Sequence, residues 1–557
     1  LMSRAHDSFL EQRFAWMNAL PLPRATTLLI ENIPPQYRSD KALQEYFSEL
    51  FGEDAVQRAY IVRKTDALRF KVRKLESIAY DLMWAESVSE QAGRPKYLEQ
   101  ELVAYRQNRA DALAAVEEER RNVEEAVENM DLNVCCAAGF VTFSSQLWRR
   151  LASKEQYRTD VTEFVTQIPP DPNDVIYSDL KRDPLAHHTS EAVGVFCIAM
   201  VFLFWSPVVV FLSGFTTFNS VQEHVTIFRV LKEQLPAFAL FLEGLLATAA
   251  MKLFMALLPS ILNTIISNFF TRKAGAWAQL RLERWYVTFL FIFVVLVAIV
   301  GRSLIITVVA LALQPSEIFG LLAASLPGAS HFYIDYLVLD WFTTAWQIVR
   351  HGNLLAYWFY RVFRSMKPEV AKQYSEPENQ AFFGMGARMG HGVVIATVAL
   401  VLCACSPVIT LLAWVSFTVG RAIYGYLQVF VEPKKPDTGG LFWIEALKQV
   451  FLALLLYVFL MIGILIKQAE TGAPSIVAAC SLFTLHRAWE RFNNLAWDEL
   501  PLEEVVAVSK KTRLTSPEPT GEYVQQECVA NTSQRGLSVV GVEVMPGGDG
   551  HASLLLP

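Results

Sequence analysis

Runs of about 20 apolar residues constrain this chain most strongly, because a stretch of that length crosses the hydrocarbon core of a bilayer as one helix. The chain has 557 residues, of which 53% are hydrophobic, and its mean hydropathy is positive. The sequence therefore predicts a polytopic α-helical membrane protein. Within a membrane domain at 191–492, we expect about eight spans, at residues 191–215, 235–262, 285–313, 331–352, 391–407, 408–430, 441–466 and 474–490.

Lysine and arginine in the loops predict which side of the membrane each loop faces. Basic residues are concentrated in the loops 266–284, 353–390 and 431–440, whereas 216–234 and 314–330 contain few or none. If the spans alternate in direction, the three basic loops lie on one side together with both ends of the chain. We expect that side to be cytosolic. The membrane is predicted to be the plasma membrane, with an organellar membrane as the alternative.

The residues before the first span predict a soluble domain. After a lead-in at 1–25, residues 26–185 follow the order strand–helix–strand, a helical insert at 65–131, and again strand–helix–strand. That order is typical of a ferredoxin-like or RRM-like α+β sandwich. We therefore predict a cytosolic domain of that fold.

An RRM-like fold raises the question of RNA binding, since such domains stack bases on aromatic side chains of two central strands. Here Cys136 and Ala138 stand at the basic and first aromatic positions of one strand, and Leu29 stands at the aromatic position of the other. The net charge of -6 also provides no attraction to a polyanion. We expect no nucleic-acid partner.

The C-terminal part of the chain differs in composition from the rest. From about Pro501 the sequence is rich in Ser, Pro, Gly, Glu and Thr and shows no hydrophobic periodicity. Such a composition is typical of disordered segments, because it offers too little apolar surface to bury. We predict that residues 498–557 form a disordered cytosolic tail.

The predicted span at 331–352 carries a stripe of polar residues. Asp340, Thr344, Gln347 and His351 are spaced i, i+4, i+7 and i+11, so they share one face of a continuous helix. A carboxylate near the centre of a spanning helix costs roughly 2.5–3.5 kcal/mol on insertion scales, so this face is not expected to contact lipid. We predict that the stripe lines a pore. The alternative is a polar contact between helices inside the bundle.

Three more residues belong to the predicted pore region. Glu243 and Lys252 lie within the predicted span 235–262 on roughly the same face. We predict that they face the same aqueous path, and an ion pair between Lys252 and Asp340 is one hypothesis. Gly352 is either a hinge of the pore helix or the usual glycine at a helix end.

The other motifs favour no enzymatic function. The 7 cysteines and 9 histidines show no metal-ligand spacing. No nucleophile elbow, phosphate-binding glycine loop or pair of catalytic carboxylates is evident. We expect no metal, no cofactor and no enzymatic activity.

Four segments, taken in order, resemble one family of membrane channels. They are LLIENIPPQYRSDKALQEYFSELF, then AGFVTFSS with the later PPDPNDVIYSDL, then IDYLVLDWFTTAWQIVR, and last GGLFWIEALKQVFLALLLY. These segments are similar to the osmosensitive, calcium-permeable stress-gated channels (OSCA and the animal transmembrane-63 proteins), which are relatives of the anoctamins. The resemblance covers residues 25–492. The N-terminal three spans of that family are missing here, and we expect them upstream of Leu1.

The resemblance implies an anoctamin-like bundle with one pore per subunit, lined by the five spans that follow the cytosolic domain. It implies a mechanosensitive, osmosensing, non-selective and calcium-permeable cation channel, with Ca²⁺, Na⁺ and K⁺ as permeant ions and membrane lipids as partners. The family includes monomers and homodimers, so a homodimer is one expected state. Asp340 matches an aspartate of the family's pore helix, but Gln347 stands where that helix has an acidic residue.

Two alternatives to a channel stay open at this point. A lipid scramblase of the anoctamin type would use the polar stripe as a groove for lipid headgroups. A membrane-anchored interaction protein would keep only a vestigial pore, which the missing carboxylate at Gln347 permits.

Overall fold

The computed structural model describes most of the cytosolic domain and much of the membrane domain. The predicted spans 235–262 and 285–313 are only partly included, and the predicted pore residues Glu243 and Lys252 lie outside the described residues. The described ranges are 2–91, 96–181, 184–215, 254–297, 330–364, 366, 368–376, 384–432, 437–469, 471–494, 497, 499–512 and 521–529.

The cytosolic domain contains a small antiparallel sheet of four strands in the order β2-β3-β1-β4. A sheet domain at this end of the chain was predicted and is confirmed, including the helical hairpin inserted between the second and third strands. The strands are β1 (Thr27–Glu31), β2 (Val56–Arg63), β3 (Cys135–Phe143) and β4 (Val165–Gln167), and the helices are α1 (Met2–Asn18), α2 (Asp40–Phe51), α3 (Asp66–Gln91), α4 (Lys96–Glu128) and α5 (Gln146–Ala152).

One face of this sheet packs on α2. The Ser39 side chain accepts a hydrogen bond from the Ala42 backbone N–H (3.1 Å) and so caps the start of α2. Leu43 and Phe47 from α2 are fully buried against the sheet. Burying each side chain of this size contributes about 1.5–3 kcal/mol. The sheet residues of this core, which alternate along their strands, include Leu28, Ile30, Val141 and Phe143.

The membrane part is helical, as predicted. Within the described residues, three helices are long and apolar enough to cross a bilayer, at Met385–Leu402, Pro407–Val431 and Leu441–Gln468. Shorter apolar helical stretches at Thr189–Trp205 and Phe254–Phe269 fall in the first two predicted spans. The helices are α6 (Tyr177–Leu180), α7 (Pro184–Phe215), α8 (Phe254–Phe269), α9 (Gly275–Val297), α10 (Ser330–Trp346), α11 (His351–Val362), α12 (Pro368–Ser375), α13 (Met385–Leu402), α14 (Pro407–Tyr426), α15 (Leu441–Gln468) and α16 (Ala473–Asn493).

A single buried apolar cluster joins most of these membrane helices. It draws side chains from α7 to α10 and from α13 to α15. Packing of this kind holds helices together in a bilayer, where lipid tails are as apolar as the side chains themselves. The bundle is therefore one packed unit over its described part, with fully or almost fully buried members that include Ile198, Leu258, Leu337, Val398 and Leu460.

The tail departs from the predicted disorder over two segments. Residues Leu502–Thr512 form helix α17, and residues 521–529 pack on the face of the sheet opposite α2. The ring of Tyr523 stacks on that of Phe140 with centroids 4.8 Å apart. The prediction failed because composition reports only what a segment can bury by itself, whereas here the apolar surface comes from the sheet. Residues 530–557 lie outside the described part.

Gln525 fixes this tail segment to the edge of β2. Its side chain is fully buried. The Oε1 atom accepts from the Arg63 backbone N–H (2.7 Å), and Nε2 donates to the Arg63 carbonyl (3.0 Å) and to the Thr65 hydroxyl (3.0 Å). The Tyr60 hydroxyl also donates to Oε1 (3.2 Å). One amide therefore satisfies backbone groups that would otherwise be buried without partners.

We expect Gln525→Leu to weaken this attachment, because it leaves buried groups of Arg63 unpaired at a cost of about 1–3 kcal/mol each. Limited proteolysis should then cleave the tail faster than in the wild type. Glu522→Gln is the matched control, since Glu522 forms an exposed ion pair with Arg58, and such pairs contribute little. Equal cleavage rates in the wild type and Gln525→Leu would contradict this role.

The cytosolic domain is attached to α9 through two aspartates. Asp174 accepts hydrogen bonds from the backbone N–H groups of Gly275 (3.1 Å) and Ala276 (2.9 Å), at the positive end of α9. Asp179 accepts one from the Arg272 backbone N–H (2.9 Å). Burial raises the pKa of Asp174 to about 6, even though the two backbone bonds favour its charged form.

The raised pKa of Asp174 predicts a pH effect on stability. The folded protein binds this proton more tightly than the unfolded chain does. The stability contribution of Asp174 is therefore fully present below its unfolded pKa of about 4 and is lost as the pH rises through about 6.

Because Asp174→Asn cannot ionise, we expect the wild type to lose melting temperature relative to this variant over that pH window. Thermal unfolding followed by tryptophan fluorescence at a series of pH values measures the difference. Parallel curves for the two proteins would contradict the assignment.

Candidate functional site

Helix α10 carries the predicted polar stripe over only part of its length. Asp340 is 2% exposed and Thr344 is 5% exposed, so both side chains point into the bundle. The α-helix ends at Trp346 and continues as an exposed 3-10 turn that begins at Gln347. His351 is the first residue of the next helix, α11. The four predicted residues therefore do not share one face of a continuous helix.

The break between α10 and α11 lies at Arg350. Its backbone is left-handed (φ 47°, ψ 45°), a conformation that costs a non-glycine residue roughly 1–2 kcal/mol. Its guanidinium pairs with Glu376 at 3.0 Å, which helps to hold the bend. Gly352 lies two residues later, inside α11 and exposed. The role of Gly352 as a hinge stays a prediction.

Asp340 forms its clearest contact with His391 of α13. The His391 Nε2 and Asp340 Oδ1 atoms are 2.6 Å apart, and the Tyr336 hydroxyl lies 3.3 Å from the other ring nitrogen of His391. A Cβ added at Gly390 would lie 2.7 Å from the Tyr286 ring, so this glycine lets α13 pack closely on α9. Asp340 is thus held in a polar contact between helices, which is the alternative that the sequence left open.

A second group of polar contacts lies one turn further along α10. The Tyr424 hydroxyl of α14 lies near the side chains of Thr344 and Gln347. The Arg388 guanidinium lies 4.6 Å from the centroid of the Tyr424 ring and pairs with Glu432 at 2.7 Å. Helices α10, α13 and α14 therefore converge on one polar cluster, which we call the α10 cluster: Tyr336, Asp340, Thr344, Gln347, Arg388, His391, Tyr424 and Glu432.

The indole of Trp341 also anchors α10 to α14. Its Nε1 donates to the Ser416 hydroxyl at 2.7 Å and lies 3.3 Å from the Leu412 carbonyl. In a bilayer such polar contacts between helices contribute on the order of 0.6–2 kcal/mol. Helices α10 and α14 can therefore separate only if the hydrogen bond between Trp341 and Ser416 breaks.

Sequence reasoning missed His391, Tyr424 and Arg388. A signal was present for His391, because it begins the predicted span 391–407 between two glycines. No pattern in the sequence links it to Asp340, since 51 residues separate the two. In the described ranges, no three His, Cys, Asp or Glu side chains lie together as a metal site would need.

Substitution of Asp340 or His391 by alanine should destabilise the bundle, since either change leaves a buried polar partner uncompensated. We expect the double variant to lose less than the sum of the single losses, with a coupling energy of about 0.5–3 kcal/mol. Thermal unfolding of the purified chain in detergent measures it. Asp335→Ala, half-buried on the same helix, is the control and should be additive with His391→Ala. Additive losses for the Asp340 and His391 pair would refute the contact.

Two family models match this chain. Residues 190–465 match "Calcium-dependent channel, 7TM region, putative phosphate", and residues 25–179 match "Cytosolic domain of 10TM putative phosphate transporter". Together they cover the cytosolic sheet domain and the membrane helices from α7 through most of α15.

Curated relatives are similar at low identity. Hyperosmolality-gated Ca²⁺ permeable channel 1.5 of Arabidopsis thaliana is 25% identical over 60% of this chain and 44% of its own length. Channel 1.7 of the same plant is 21% identical over 89% of this chain and 64% of its own length. Phosphate metabolism protein 7 of Saccharomyces cerevisiae is 26% identical over 55% of this chain and 31% of its own length. The chain spans about half the length of the relatives it matches.

These matches and the described helices agree with one another. The family models cover the two parts into which the chain folds, and apolar helices of spanning length occupy the second part. The chain is therefore a multi-pass membrane protein. It belongs to the calcium-permeable channel family that comprises the OSCA and transmembrane-63 proteins.

Proposed function

We propose that this chain forms the pore part of a non-selective, calcium-permeable cation channel that opens under membrane tension. The observation that carries the proposal is Asp340, a carboxylate that is 2% exposed inside a membrane bundle and bonded to His391. A carboxylate at such depth is costly and is typical of ion pathways. The printed names of the relatives, hyperosmolality-gated Ca²⁺ permeable channels, fit such a pathway.

The α10 cluster corresponds to a closed pathway in this proposal. Asp340 bonds to His391 of α13, and Tyr424 of α14 lies near Thr344 and Gln347. If α10 moved away from α13 and α14, the same side chains would face water and line a conduit. The cost of separating them is partly repaid because water replaces the lost hydrogen bonds.

Tension would act on this equilibrium through area. A state in which α10 has moved outward occupies more membrane area, so tension favours it. Helix α11 supports such a role, because its large apolar side chains are exposed and recur along one side, as expected for contact with lipid. They are Leu354, Leu355, Trp358, Phe359, Val362 and the following Phe363.

The cytosolic insert touches the segment that follows α11. The Trp84 indole of α3 lies 3.4 Å from the Arg364 carbonyl, and the rings of Tyr80 and Tyr374 are 5.6 Å apart. Trp84 also packs beside Met366 and Ala371 in a small apolar cluster. We propose that this contact couples the cytosolic hairpin to movement of the pore helix.

We also propose that the cytosolic domain is RRM-like without binding nucleic acid. The strand order β2-β3-β1-β4 supports the first part. The second part rests on residues 521–529, which occupy the sheet face that an RRM uses for bases, and on Tyr523, which stacks on Phe140 there.

Patch recording under stepped suction tests the channel proposal, with surface labelling to verify that the chain reaches the membrane. We expect stretch-activated currents that carry Na⁺, K⁺ and Ca²⁺. Absence of current from labelled cells would overturn the proposal. Lipid flipping in liposomes without any current would favour a scramblase instead.

Selectivity should depend on Gln347, a member of the α10 cluster. Gln347→Glu adds a negative charge at the inner end of α10, so we expect a several-fold rise in Ca²⁺ permeability relative to Na⁺. Reversal potentials measured under bi-ionic conditions report this ratio. Glu369→Gln is the control, because Glu369 is exposed on α12 outside the cluster. An unchanged ratio in Gln347→Glu would show that this residue does not line the pathway.

A further inference from the structure

Glu283 of α9 is a buried carboxylate that the proposed channel does not use. Its side chain is fully buried, and among the described residues neither of its two carboxylate oxygens has a hydrogen-bond partner. An ionised carboxylate without donors or a counter-charge is strongly disfavoured in a low-dielectric interior. A carboxylate in this position therefore binds either a proton or a cation.

The opposing helix α15 presents two more side chains to this region. Glu445 lies close enough to Glu283 to repel it electrostatically, and it pairs with Arg284 at 2.9 Å. Gln449 lies one turn after Glu445 on the same face of α15. Gln449 is 8% exposed, and its Oε1 atom has no hydrogen-bond partner among the described residues.

Packing places these groups together. Val287, one turn after Glu283, shares a buried cluster with Ala446, which is adjacent to Glu445. The two helices therefore face each other at this level of the bundle. The unsatisfied atoms in this region are all acceptors: two carboxylate oxygens of Glu283 and the amide oxygen of Gln449.

Helix α13 closes the third side with backbone. A Cβ at Gly386 would overlap the carbonyl of Gln279 and approach the Glu283 backbone nitrogen to 3.2 Å, so α9 and α13 are in direct contact. The Gln279 Oε1 atom accepts from the Gly386 N–H (3.2 Å), while its Nε2 lies 3.5 Å from Asn263 Oδ1. The side-chain amide of Gln279 is therefore already hydrogen-bonded.

We propose that Glu283, Gln449 and Glu445 form a binding site for one alkali cation between α9 and α15. Arg284 neutralises Glu445, so the site retains one net negative charge, which matches a monovalent ion. A divalent ion would leave the site with a net positive charge. Oxygen acceptors alone are suitable ligands for such a hard cation. The site is separate from the Asp340–His391 contact and does not depend on conduction.

The experiment measures the melting temperature of the full chain, purified in detergent, in chloride salts of equal ionic strength. The probes are Na⁺, K⁺ and the bulky organic cation N-methyl-D-glucamine. We expect Na⁺ or K⁺ to raise the melting temperature of the wild type with a saturating concentration dependence, since a ligand that binds only the folded state stabilises it. The same titration should leave Glu283→Gln unchanged.

Two variants keep the result interpretable. The Glu283→Gln amide has N–H donors for Gln449 and is expected to fold without a cation. Glu191→Gln removes a half-exposed carboxylate that pairs with Arg281 and should keep the cation response. Equal responses in the wild type and Glu283→Gln would overturn the site. A wild type that responds to neither alkali ion would also overturn it.

Discussion

The contact between Asp340 and His391 constrains how the membrane helices pack, because a carboxylate inside a bilayer must be paired within the protein. Asp340 Oδ1 and His391 Nε2 are 2.6 Å apart. The Tyr336 hydroxyl lies 3.3 Å from Nδ1, the other ring nitrogen of His391. This pairing requires α10 and α13 to lie side by side. Helix α14 then closes on α10 through Trp341 and Ser416. In the proposed channel, a conducting state that separates these helices would expose the same groups to water.

Several small polar contacts join the cytosolic and membrane domains. Asp174 and Asp179 hold the backbone at the start of α9. The Trp84 indole contacts the segment that follows α11. Polar contacts of this kind can be remade in a second arrangement, whereas a packed apolar interface resists sliding. Through these contacts, movement of the cytosolic domain would be transmitted to the helices beside the α10 cluster in the proposed channel.

Much of the fold could be predicted because the relevant signals are local. Apolar run length predicted the helices at 385–402, 407–426 and 441–468 to within a few residues, apart from an earlier start for α13. Alternation and turn residues predicted the four strands. Asp340 and Thr344 of the polar stripe are both buried, as expected for a helix face that does not contact lipid. The stripe does not continue on one face beyond Thr344, because periodicity assumes a continuous helix, whereas this α-helix ends at Trp346 and a new one begins after the left-handed Arg350.

The sequence by itself determined that this chain crosses a membrane, carries a small sheet domain and places a carboxylate within a span, since length, hydropathy and spacing act along the chain. The tertiary structure decided which groups contact Asp340 and which surround Glu283. It also decided that residues 521–529 cover the second face of the sheet. His391 is 51 residues from Asp340, and Gln525 is 462 residues from Arg63. Such pairs are selected by the packing of whole helices and strands, because only the folded arrangement brings each buried polar group within reach of its partner.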